Sequence, residues 1–370
     1  MSRANRTLSR AKRTQSAAGR DTMHSKRLAL ALAACALASA AVPAFAGSEL
    51  AGTTAANFLA VGAGPGVLAM GGAALGCGGS LEHAAWNPAA LGWVDATALE
   101  LSHAQLDDQA MQEWATLGGR FGHSGTHWAM SALYHNEGTI IGRDASNLPT
   151  GDFTTGSVAA MVQLAQRAGP HAAFGVTGKY VVEALGPGES GTGMTFDAGM
   201  SLRFGVMGFG FAAQNVGGRM SYGESTYPFP ASYGAGVSFA HEASGVVAAA
   251  DLNVPSASFA SMRTGVQWTW RQHVAVRAGY RQELGAPAIE PLSGPTFGTG
   301  LGMHGMWLDY AFLLDGNMGG QHRLAISLRP SALGIPAGND PFGQRAMPRE
   351  FSDAKPLGPP APKPTASDAR

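Results

Sequence analysis

The stretch of the chain that most resembles a working site is Val61-Gly62-Ala63-Gly64-Pro65-Gly66-Val67. Its glycine spacing imitates the turn that lays backbone amides against a dinucleotide pyrophosphate, and Glu82 follows at about the distance of a ribose-binding acid. Position 67 should then be Gly or Ala, but it is Val, and no second strand of a βαβ unit follows. The glycines are therefore expected to let a loop fold tightly inside a confined space. His123 and His127 stand four apart, a spacing that suits a metal on one face of a helix. They bracket a short strand turn with no nearby acid or third ligand, so they are expected to be exposed turn histidines. A hydrolase would need a Ser, a His and an orienting partner on adjacent strands, and nothing marks such a set. No enzyme activity, cofactor or metal is expected.

Charged residues at regular spacing are more informative. Lys179, Glu183, Asp197, Arg203, Asp251, Arg263, Arg277, Arg281, Asp309 and Arg323 all fall on the polar faces of segments that alternate with period two. Phe196, Ala198, Met200, Leu202 and Phe204 share one face, while Asp197, Gly199, Ser201 and Arg203 share the other. The same opposition recurs in 262–270 and 274–281. If the strands close into a barrel in lipid, the charges must meet in the lumen, because Arg or Lys turned toward mid-membrane costs roughly 2–4 kcal/mol. The role expected for them is to fix a plug by pairing, with a polar conduction path or ligand contact as the alternative.

Fourteen such strands are predicted: 97–105, 112–122, 126–136, 154–167, 171–184, 193–205, 207–215, 231–241, 245–254, 260–270, 273–283, 296–302, 305–314 and 321–329. Tight links alternate with mostly longer ones such as 137–153, 217–230 and 284–295, the asymmetry of a barrel with short periplasmic turns and longer extracellular loops. The fold class predicted is all-β, a transmembrane antiparallel barrel with an N-terminal plug. Closure has a physical cause, since hydrocarbon offers no partner to the backbone groups of a sheet edge. Trp128, Trp268, Trp270, Trp307, Tyr280 and Tyr310 are expected near the lipid interfaces. A soluble periplasmic β-sandwich binding protein would show the same alternation and stays open on pattern alone.

Composition favours the membrane. Only 14% of residues are charged, against roughly 25% in soluble proteins, and 52 are glycine. Cationic and anionic side chains balance at 25 each, so nothing points to nucleic acid. Lys26 and Arg27 precede an apolar run from Leu28 to Val42 that ends in Pro43-Ala44-Phe45-Ala46, so residues 1–46 read as an export signal, with Met23 an alternative start. Leu32-Ala33-Ala34-Cys35 imitates a lipoprotein box, but the chain stays mostly apolar after it. Cys77 is then the sole cysteine beyond the signal, which excludes an internal disulfide. The organisation expected is signal at 1–46, plug at 47–95, barrel at 96–330, and a Pro- and Ala-rich periplasmic tail at 331–370.

Several motifs follow one another in a telling order. They are Asn57-Phe58-Leu59, Met70-Gly71-Gly72-Ala73, Trp86-Asn87-Pro88-Ala89-Ala90-Leu91, Gln214-Asn215-Val216-Gly217 with Phe229-Pro230, Asp251-Leu252-Asn253 with Pro255, Val276-Arg277-Ala278-Gly279-Tyr280, and Asp309-Tyr310-Ala311-Phe312 with Gly319-Gly320-Gln321-His322-Arg323. Across roughly residues 53–329 this resembles the PorV/PorQ-type proteins, part of the larger group of FadL-like barrels. The resemblance implies a fourteen-stranded barrel with a hatch, which would carry Asn57, Phe58, Gly71, Gly72, Asn87 and Pro88; the strand period, independently of it, turns Lys179, Arg203, Asp251, Arg277, Asp309 and Arg323 toward the lumen. The resemblance also implies outer-membrane lipid as surroundings, and as partners either exported cargo proteins docked at the outer membrane or hydrophobic small molecules passed through it. The chain departs from the family at Gly76-Cys77-Gly78-Gly79-Ser80-Leu81-Glu82, where an Asp-rich stretch is common, and in its long tail.

Overall fold

The computed structural model describes residues 52–106, 109–122, 124–186, 188–285, 293–314 and 320–329. The expected signal, His123 and the tail lie outside them. Fourteen long antiparallel strands make the wall: β1 (Ala98–Gln105), β2 (Met111–Arg120), β3 (Thr126–Arg143), β4 (Pro149–Ala168), β5 (Ala172–Gly186), β6 (Glu189–Phe204), β7 (Met207–Val216), β10 (Ser232–His241), β11 (Val246–Pro255), β12 (Ser261–Trp270), β13 (Val274–Glu283), β14 (Gly294–Met303), β15 (Met306–Leu314) and β16 (Gly320–Leu328). Each pairs with the next, β7 pairs with β10, and β1 closes on β16 with Leu99 opposite Leu328. A short hairpin, β8 (Met220–Tyr222) and β9 (Ser225–Tyr227), attaches to β6 outside the ring.

Because β1 closes on β16, each of the fourteen long strands has a strand neighbour on both sides within the ring. The outer face is apolar: Val158, Val162, Phe174, Val176, Phe196, Phe211, Val266, Leu301 and Leu308 are all exposed on it. In a sheet closed on itself and turned oily side out, that face contacts lipid, not a second sheet. Among the described residues no helix is long and apolar enough to cross a membrane. At one end the hairpins are tight. His304 and Gly305 both take positive φ, 50° and 83°, between β14 and β15, the backbone that matches a two-residue hairpin to strand twist.

Three sequence expectations need correction, at 137–153, Trp307 and His127. The segment 137–153 is not a long loop, because β3 and β4 run on through it, pairing Thr139 with Thr154 and Ile140 with Phe153 beyond a bulge. Outside the bilayer a strand needs no two-faced pattern, which is why alternation ended too early. The 217–230 connection is long as expected, and it also carries the β8–β9 hairpin, three residues per strand, too short for a period to show. Trp307 faces the lumen, sharing parity with Asp309 and donating its indole N–H to that carboxylate at 2.8 Å. His127 is buried on the inner face of β3, and its Nδ1–H donates to the Gly125 carbonyl at 3.1 Å.

Candidate functional site

The lumen is filled by residues 52–94, which fold as two short helices, α1 (Pro65–Leu68) and α2 (Leu81–Trp86), with 3-10 turns at Asn57–Ala60 and Pro88–Trp93. The imitation nucleotide turn is built into this plug. Gly64 precedes α1 with φ of 83°, Pro65 starts the helix, and Glu82 of α2 accepts the Val67 amide at 3.2 Å. The acid at ribose-binding distance thus satisfies free amides at a helix start. Burial pushes the Glu82 carboxyl up, against the opposing pull of Arg277 and the Val67 and Gly66 amides. The Gly62 carbonyl of the same turn accepts from Gln112 at 2.8 Å and from Arg323 at 3.3 Å.

Gly71 and Gly72 bring the plug chain close under β12–β14. Both take left-handed φ, 70° and 80°, and a Cβ on Gly71 would stand 2.6 Å from the Tyr280 carbonyl oxygen. The Gly71 amide donates to Thr296 Oγ1 at 2.9 Å, and that hydroxyl donates to the Ala69 carbonyl at 3.0 Å. Asp251, on β11, accepts from the amides of Ala74 and Leu75 at 2.7 and 2.8 Å. The wall yields in turn, because Gly210 of β7 lies directly against the Leu75 carbonyl, where any side chain would overlap it. Asn87 is fully buried: its Nδ2 donates to the carbonyls of Leu75 and Met200, each at 3.1 Å, and its Oδ1 accepts from Ala89 at 3.1 Å. Pro88 follows, fully buried, at the start of the last 3-10 turn.

The inward charges divide into two kinds. Some hold the plug: Trp93 stacks on both Arg167 and Arg203, each 4.7 Å from the ring centre, and donates to Ser201 at 2.8 Å, while Arg263 lies 5.0 Å over Trp86. Others pair within the wall. Lys179 bridges to Asp197 at 2.9 Å and donates to Asn215 at 2.7 Å, and Arg277 pairs with Asp309. The sequence could not reveal the plug's other wall contacts, Gln163 to Ala84, Gln214 to Ala85 and Ser238 to Gly76, because a neutral inward residue looks the same with or without a partner.

The plug leaves a cavity at one end of the barrel and packs against an apolar wall at the other. At the tight-turn end lies a cavity of about 710 Å³ into which charged and polar groups face, lined in part by Glu82, Glu100, Arg277, Asp309, His83 and Trp307. At the other end the inner wall turns apolar. Trp114, Leu133, Ala159, Met161 and Val181 of β2–β5 face inward there, packed against Phe58, Met220 and Phe229. Asn57 and Phe58 belong to this upper region, with Phe58 stacked 5.9 Å from His135 and Asn57 holding a local turn with Thr54. Among the described residues no group of three or more His, Cys, Asp or Glu is placed to hold a metal ion.

No protein-family model and no curated protein sequence matches the chain. Solved structures do. The toluene transporter TbuX of Ralstonia pickettii superposes with a TM-score of 0.52 at 14% identity, covering 72% of this chain and 98% of that one. The deltaS2S3 mutant of the monoaromatic hydrocarbon channel TodX gives 0.50 at 13% identity, covering 72% and 97%. A FadL homologue of Pseudomonas aeruginosa gives 0.46 at 10% identity, covering 77% and 98%. At such identities the likeness is one of fold, and the chain is a transmembrane β-barrel similar in architecture to TbuX and TodX.

Proposed function

We propose that the protein is an outer-membrane transporter of small hydrophobic molecules. The observation that carries this reading is the apolar inner wall at the long-connection end. Elsewhere the inner face carries mostly polar groups and alanines, whereas here it presents the larger apolar side chains Trp114, Leu133, Met161 and Val181. An apolar molecule leaving water gains about 25 cal/mol for each Å² it buries, so such a wall favours hydrocarbon over ions or sugars. The named activities of TbuX and TodX, a toluene transporter and a monoaromatic hydrocarbon channel, support the same substrate class. The export signal read at 1–46 and the apolar outer wall support the outer membrane as its location.

The test is uptake of radiolabelled toluene by bacteria that lack their own hydrocarbon channels, with and without this protein. Expression is expected to raise uptake, and Leu133→Lys or Val181→Lys to abolish the gain while the barrel stays folded. Uptake equal to that of cells without the protein would refute the reading. The PorV/PorQ resemblance supports a second role, docking of exported proteins. The β3–β4 extension favours it by presenting Ile140, Ile141 and Leu148 exposed beyond the barrel rim. That role requires type IX secretion components in the same genome, and their absence would remove it.

A further inference from the structure

Two chain segments that are far apart in sequence pack over the apolar inner wall at the long-connection end. One is the start of the plug, residues 53–60, which contributes Ala56 and Phe58. The other is the connection 217–231 with the β8–β9 hairpin, which contributes Met220 and Phe229. They touch through one backbone bond, the Ala55 amide donating to the Pro228 carbonyl at 3.0 Å. Both are also tied to the same wall atom. Oε2 of Glu183, on the inner face of β5, accepts the Ala56 amide at 3.0 Å and accepts a short hydrogen bond from the Tyr222 hydroxyl. The neighbouring wall is shaped to receive the hairpin: Gly191 and Gly193 of β6 leave no Cβ under Tyr222 and Phe229, and β6 adds a two-residue ladder to β8.

We infer that Glu183 is the shared latch of a two-part lid, so that loss of one carboxylate releases the plug's leading segment and the hairpin together. The inference rests on the proposed transport role, in which the lid segments must leave the apolar wall for a ligand to reach it, and Glu183 acts by positioning the lid without touching the ligand. A carboxylate is suited to the task because its charge strengthens both bonds and one oxygen accepts two donors at once. Cutting it leaves the apolar packing of Phe58, Met220 and Phe229 in place, so the lid loosens without the barrel unfolding. A ligand that displaced either segment would strain the other through the common anchor.

The experiment is hydrogen–deuterium exchange on the detergent-solubilised full chain, comparing Glu183→Ala, Glu183→Gln and Tyr222→Phe with the parent. Heat-modifiable gel migration verifies that each barrel is folded. In Glu183→Ala, amides in 53–60 and in 217–231 are both expected to exchange roughly tenfold faster or more, with the barrel strands unchanged. Glu183→Gln keeps an acceptor oxygen and should loosen both less. Tyr222→Phe should loosen the hairpin more than the leading segment. Unchanged protection in either segment of Glu183→Ala, or of the hairpin in Tyr222→Phe, would overturn the latch. Toluene uptake separates this inference from the reading beneath it: lid segments that loosen together in a protein that moves no toluene uphold the latch and defeat the transport role.

Discussion

Replacing Asp251 with alanine is expected to free the central plug from the wall while leaving the barrel intact. The side chain is buried on β11, with its two hydrogen bonds to the Ala74 and Leu75 amides at 2.7 and 2.8 Å and Arg263 opposite it in the β12 register. A hydrogen bond to a charged acceptor contributes roughly 1.5–3 kcal/mol net, so two give roughly 3–6 kcal/mol. The space left by the carboxylate admits water, which re-bonds the amides and returns part of that, while Arg263 loses a counter-charge. The net loosening comes to about 2–4 kcal/mol, equivalent to roughly 30- to 900-fold in a local opening equilibrium. Hydrogen–deuterium exchange over residues 70–78 reads this directly, with β11 and β12 as internal controls. Asp251→Asn, which keeps an acceptor of the same shape but no charge, should fall between. A change of less than about threefold in Asp251→Ala would refute the reasoning, since the wall would then hold the plug by shape alone.

Three further outcomes follow from the same geometry. Lys179→Met leaves Asp197 buried without its cation, a loss of roughly 3–5 kcal/mol, so its gel-shift unfolding temperature should drop clearly below the parent's; an unchanged midpoint would show the pair to be dispensable. His83 of the plug is held at about 3, first by burial and then by Arg203 and Arg277, and accepts from Ser80 at 2.5 Å as the neutral ring. Because its folded value lies below the unfolded one near 6.5, the stability it contributes is present above pH 6.5 and is lost as pH falls from there toward 3. Plug exchange should therefore accelerate across that window and do so less in His83→Gln; its edge reaches the water of the cavity at the tight-turn end, which keeps the effect modest. Burial, then Asp251, pushes the Cys77 thiol up to about 12. Maleimide at pH 8 should not label it in the folded protein and should label it fully after heating in detergent; labelling of the folded form would show the plug to be open.

Strand existence and facing were legible along most of the chain, because lipid on one side and a polar lumen on the other impose the strictest two-residue alternation a sheet can carry. Lys179, Arg203, Asp251, Arg277, Asp309 and Arg323 could be assigned a face from that period alone, and the even number of strands followed from the turns. The same logic stopped where the bilayer stops: β3 and β4 beyond residue 136, and the β8–β9 hairpin, lie where no solvent boundary writes a pattern into the residues. Partnership was not legible at all. Nothing local distinguishes Glu183, which ties two segments over 100 residues of chain apart, from Arg277, which pairs across the wall, or tells that Gly210 exists to admit the Leu75 carbonyl. A face is decided by a residue's own side chain and its neighbours two places away, whereas a contact is decided by what barrel closure brings to the opposite wall.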